Sequence, residues 1–207
     1  SNMLQFTTDK TAYKTGEEAV VTIPSPDKGR ALVTIENGSR VVEAHWLETE
    51  KGTTLFKFKI KPEMAPNVYV HVSLMQPHKR ENDLPIRMYG VVPITIDDPE
   101  THLKPTISMP SVLVPEQNVT INVGEENGKE MAYTLAVVDE GLLDITRFKT
   151  PEPWKAFYAK EALGVKTWDM YDNVIGAYAG KLDKLLSIGG DGDANAGKGI
   201  KANRFKP

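Results

Sequence analysis

Over the first hundred residues, apolar side chains recur at every second position. Leu4 and Phe6 alternate with polar neighbours, residues 9–17 carry turn chemistry, and 19–23 form a β-branched run expected to stop at Pro24 and Pro26. Ala31, Val33 and Ile35 share one face. Asn37-Gly38 follows, a pair that tolerates positive φ at both central turn positions, so a tight hairpin returning through residues 40–47 is expected. Thr54, Phe56, Phe58 and Ile60 alternate with Leu55 and three lysines; Val68, Val70, Val72 and Leu74 repeat the pattern. Residues 91–96 close the set, and Pro93, lacking a ladder N–H, places that strand at an edge. Residues 77–85 read as a loop and Asp97-Asp98-Pro99 as a linker. About seven strands with no helical period predict a seven-stranded antiparallel sandwich.

The second half changes texture. Residues 119–123 read as a strand and 124–129 as a polar turn. Residues 131–138 are apolar or small on both faces, the signature of a covered central strand, and Asp139-Glu140-Gly141 reads as the turn that ends it. Asp139 and Glu140 make a poor acid–base pair, because adjacent strand residues point to opposite faces. Pro153 suits the first turn of a helix carrying Trp154, Phe157, Tyr158 and Glu161, stopped by Gly164. Thr167 can cap a second helix over 168–177 with Trp168, Tyr171, Val174 and Ile175 on one stripe, both stripes packing on the sheet. From residue 176 onward the chain holds seven of its 16 glycines, and 187–199 contain one large apolar residue, Ile188. Such a stretch buries too little to offset the entropy of ordering it and reads as a flexible tail.

Composition narrows the function. The 207 residues carry a net charge of −3, with no basic stripe interleaved with aromatics, so nucleic acid is not an expected partner. There is no cysteine, which excludes disulfides, thiol chemistry and Cys-based zinc sites. Ser1-Asn2-Met3 reads as a cleavage scar, so a piece of a longer protein is expected. His45, His71, His78 and His102 show no ligand spacing, and Asp191-Gly192-Asp193 lacks the glycine and the final acid of a calcium loop. No catalytic, metal or cofactor site is expected: the motifs describe a binding or structural module.

Residues 135–178, LAVVDEGLLDITRFKTPEPWKAFYAKEALGVKTWDMYDNVIGAY, resemble the bacterial alpha-2-macroglobulin family, as do NVYVHVSLMQPH (67–78), DLPIRMYGVVPI (83–94), NRFKP (203–207) and the Tyr13-Lys14-Thr15-Gly16-Glu17 turn. The resemblance implies tandem macroglobulin-type β-sandwiches: a complete one over 1–98, then over 99–207 the start of a second, with a helical lead-in (151–177) and a bait region (178–206). It implies a periplasmic, broad-spectrum protease trap, anchored to the membrane through a part of the full-length protein outside this chain, and not an enzyme. Target proteases and the other domains of the same long chain are the implied partners. In many members a Cys-Gly-Glu-Gln thioester links to the protease; that motif is absent here. Candidate cleavage positions are Lys181, Lys184, Lys198, Lys201 and Arg204 for basic-pocket enzymes, and Leu185, Leu186, Ile188 and Phe205 for apolar pockets. Two other readings stay open: a β-sandwich scaffold or adhesion module of an extracytoplasmic protein, and a carbohydrate-binding module using Trp154, Tyr158, Trp168 and Tyr171.

Overall fold

The computed structural model describes residues 3–77 and 86–170. It divides into two units, Ser1–Val165 and Lys166–Pro207. The protein is mainly β. Strands β1 (Thr7–Thr8), β2 (Ala12–Lys14), β3 (Glu18–Ser25), β4 (Gly29–Glu36), β5 (Val41–Thr49), β6 (Gly52–Lys59), β7 (Asn67–Gln76) and β8 (Ile86–Asp97) build a sandwich. One sheet runs β1-β3-β6 and the other β2-β8-β7-β4-β5. Ala19, Val21, Ile23 and Phe58 of the first meet Ala31, Val33, Ile35, Val68, Val70, Val72 and Leu74 of the second in one buried cluster. The alternation that predicted these faces is thus satisfied by a facing sheet. Each fully buried aliphatic side chain contributes about 1.5–3 kcal/mol of transfer free energy.

Several details differ from the expectation. Eight strands form, because Ala12–Lys14, within the expected turn, pairs with Thr95–Asp97, and it does so in parallel. Tyr13 alone of the three is buried. Its hydroxyl donates to Asp9 Oδ1 at 2.6 Å, and burial first, then Asp9, pushes the phenol up to about 12. Strand β3 continues through Pro24 to Ser25, since β1 covers only Val21 and Thr22 and leaves that side of β3 open at the proline. Pro93 is accommodated likewise: β8 is penultimate in its sheet, but β2 reaches only three of its residues. The β4–β5 hairpin forms without positive φ at Asn37 or Gly38. Asn37 Oδ1 instead accepts from the backbone of Ser39 and Arg40, both at 2.9 Å, and this side-chain turn replaces the left-handed one. The expected loop at 77–85 lies almost wholly outside the described residues.

The sandwich does not end in a free linker. Asp98 is buried and caps a 3-10 turn, Pro99–Thr101, while Thr15 Oγ1 donates to Asp98 Oδ1 at 3.1 Å. Beyond it, β9 (Pro105–Ser108) and β10 (Asn122–Glu125) form a two-stranded antiparallel ribbon. Strand β10 is shorter than expected, beginning only at Asn122, and Gly124 belongs to it. Backbone N–H groups of Lys129, Lys104 and Asn127 converge on the Glu125 carboxylate and hold it below the usual glutamate range.

The expected central strand over 131–138 is absent. These residues join no strand, and Tyr133, Leu135, Val137 and Val138 are 58%, 48%, 65% and 50% exposed. Alternation makes a strand only where a neighbour supplies ladder partners and a covering surface, and the described residues supply neither. Asp139-Glu140-Gly141 opens a helix rather than a turn. Asp139 Oδ1 accepts from the Gly141 N–H at 2.9 Å, α1 spans Glu140–Thr146, and Arg147 ends it in the left-handed region at φ 51°. Helix α2, Pro153–Phe157, starts as expected but stops well short of Gly164. Residues 168–170 are not helical, Trp168 is 81% exposed, and the rest of that expected helix lies outside the described residues. Short helices take most of their stability from packing, and Phe157 has found none, being 83% exposed.

Candidate functional site

Lys181, Lys184, Leu185, Leu186, Ile188, Lys198, Lys201, Arg204 and Phe205 all lie outside the described residues. The structure does describe the stem that leads toward them, and two moorings hold that stem to the sandwich.

The first is aromatic. Trp154 of α2 stacks on His102 with ring centroids 4.2 Å apart, and Tyr158 stacks on Trp154 at 5.4 Å. Trp154 Nε1 donates to Thr101 Oγ1 at 3.0 Å, and His102 Nε2 lies 2.6 Å from Asp97 Oδ1. The stem therefore rests on the end of β8 and the turn that follows it. The expectation that the first aromatic stripe packs on the sheet is corrected here, and of the second stripe only Trp168 lies among the described residues. Trp154 docks on the turn after β8, while Phe157 and Trp168 stay in solvent. A sugar platform needs open ring faces, and the faces of Trp154 are turned to His102 and Tyr158.

The second mooring is at Glu161. Its backbone N–H donates to Asn67 Oδ1 at 2.8 Å, and its carbonyl accepts from Asn67 Nδ2 at 3.0 Å and from the Tyr69 hydroxyl at 2.9 Å. Its carboxylate accepts from the Gly38 N–H at 3.2 Å. Asn67 and Tyr69 stand two apart on β7 and so share the face turned away from the core. Gly38 and Gly164 come so close that a Cβ on Gly164 would overlap the Gly38 carbonyl. Sequence reasoning missed this cluster. Asn67 and Tyr69 look like ordinary outward positions of a strand, and nothing local links them to a residue more than ninety positions away.

The three described histidines each sit beside one carboxylate: His45 by Glu43, His71 by Glu36 and His102 by Asp97. Among the described residues no cluster of three metal-ligating side chains forms. No helix of the described residues is long and apolar enough to cross a membrane.

Comparison with known proteins adds to this geometry. Residues 4–145 match the family model described as the alpha-2-macroglobulin bait region domain. The chain is 28% identical over 204 residues to an alpha-2-macroglobulin homolog of Yersinia pestis, covering 98% of this chain and 10% of that protein. It is 29% identical over 186 residues to an alpha-2-macroglobulin of Xylella fastidiosa strain 9a5c, covering 88% and 11%. Against the alpha-2-macroglobulin of Escherichia coli K12 it is 27% identical over 194 residues, covering 89% and 12%. Among solved structures, Salmonella alpha-2-macroglobulin reacted with methylamine aligns with a TM-score of 0.49 at 21% identity, over 82% of this chain and 12% of that one. The chain thus spans about a tenth of the length of these curated relatives. With more than half of its residues inside the family match, the chain belongs to the alpha-2-macroglobulin bait region domain family.

Proposed function

We propose that this chain is the bait-bearing part of a protease trap. In this reading residues 1–98 are a complete macroglobulin-like domain, and 99–207 begin a second one interrupted by a cleavable segment at 178–206. Proteases of several specificities cut that segment, and the other domains of the longer protein respond by enclosing the enzyme. The chain itself catalyses nothing, and the whole protein works outside the cytoplasm, in the periplasm.

The observation that carries this reading is one of placement. A stem moored at Trp154 and Glu161 stands directly ahead of a glycine-rich sequence, in a chain of the bait region domain family. A protease must draw several residues into extended form, which a polar, glycine-rich segment permits and a packed strand does not. The mixture of lysine, arginine, leucine and phenylalanine among the candidate positions suits enzymes with different pockets.

Brief digestion tests it. A protease specific for Lys and Arg and one specific for apolar residues should both cut first within 178–206. The sandwich should resist at least about 100-fold longer, because cleavage there requires global opening of a domain stable by several kcal/mol. First cuts inside 1–98 would overturn the assignment of the bait.

A further inference from the structure

We infer that Asn67, Tyr69 and Gly38 form a binding site for an extended peptide main chain, and that residues 160–164 occupy it as a releasable latch. The inference concerns the notch and does not rest on the protease-trap reading. Three of its four bonds go to the backbone N–H and C=O of Glu161, groups that every residue except proline presents. Asn67 uses both ends of its amide on one residue, the pairing by which one strand reads another. Glu161 adds its carboxylate on the Gly38 N–H, and the glycines at 38 and 164 allow the two backbones to approach.

The two sides of the contact are built differently. The notch is rigid. Asn67 is 4% exposed on a strand paired on both sides, and Gly38 is fixed by the Asn37 side-chain turn. The occupant is not. Residues 161–164 belong to no helix or strand, Leu163 keeps 39% of its surface exposed, and the helix before them has five residues. What holds the latch is a few hydrogen bonds with little buried surface, which places its opening among the low-energy local motions of a domain. Opening exposes at most the covered part of Leu163, and water can satisfy the freed Asn67 and Tyr69.

Amide exchange of the whole chain tests this. In the wild type the Glu161 and Gly38 amides should exchange slowly compared with those of residues 133–137. Asn67→Ala should speed both by about tenfold or more, while Val33 and Val70 keep their protection. Glu161→Ala, at an exposed position, should release Gly38 and leave the Glu161-position amide protected; it decides the matter if Asn67→Ala does not fold. In a Glu161→Pro chain, whose own latch cannot donate, an added peptide with the sequence of residues 156–166 should restore slow exchange at Gly38. Failure of the peptide to restore it, or a wild-type Glu161 amide as fast as that of Leu135, would overturn the inference.

Discussion

Leu74→Ala is expected to destabilise the sandwich by about 2–5 kcal/mol. Leu74 is fully buried on β7, flanked by β4 and β8 and facing the smaller sheet. Both flanking strands are held by long ladders, so the site can collapse little around the missing atoms. Against a total stability of about 5–15 kcal/mol for a domain, that loss is severe. The same change at Leu135 is expected to cost no more than about 0.5 kcal/mol, because that side chain is 48% exposed and joins no strand. Denaturant unfolding followed by circular dichroism separates the two. A loss at Leu135 comparable with that at Leu74 would mean that 131–138 is packed.

The second large effect concerns association. Residues 131–138 expose a run of apolar side chains in a segment that joins no strand, the pattern that recruits strands from other molecules. The chain is expected to self-associate with rising concentration and to bind a hydrophobic dye, and the double substitution Leu135→Lys and Val137→Lys to abolish both, with the unfolding midpoint unchanged. Sedimentation across a concentration series reads the first. Persistent association in the variant, or a lowered midpoint, would contradict the exposed, unpartnered state of this stretch.

The same two stretches mark how far periodicity alone reaches. Val68, Val70, Val72 and Leu74 alternate and are buried; Met131, Tyr133, Leu135 and Val137 alternate as well and lie in water or at its edge. Periodicity states which side chains could share a face. Only a partner of the right shape turns that face into a core. The helix at 140–146 escaped notice because Asp139-Glu140-Gly141 looks like a turn after a strand, and once the strand is absent the same aspartate acts as a helix cap. Strand β2 escaped because a single buried residue, Tyr13, anchors it. The candidate site was legible only in part. Composition marks out the tail, but the Asn67–Glu161 mooring joins positions far apart in the chain and leaves no local pattern. Helical spacing marks Trp154, yet its partner is His102 rather than the sheet.

The central claim is that cutting 178–206 triggers capture, and the full-length protein tests it most directly. After brief exposure to a protease, its hydrodynamic size and the amount of enzyme that stays bound are measured together with the position of the cut. The account predicts a single cut within 178–206, a more compact particle and retained protease. A cut at that position with unchanged size and free protease would contradict it and leave the chain a scaffold module.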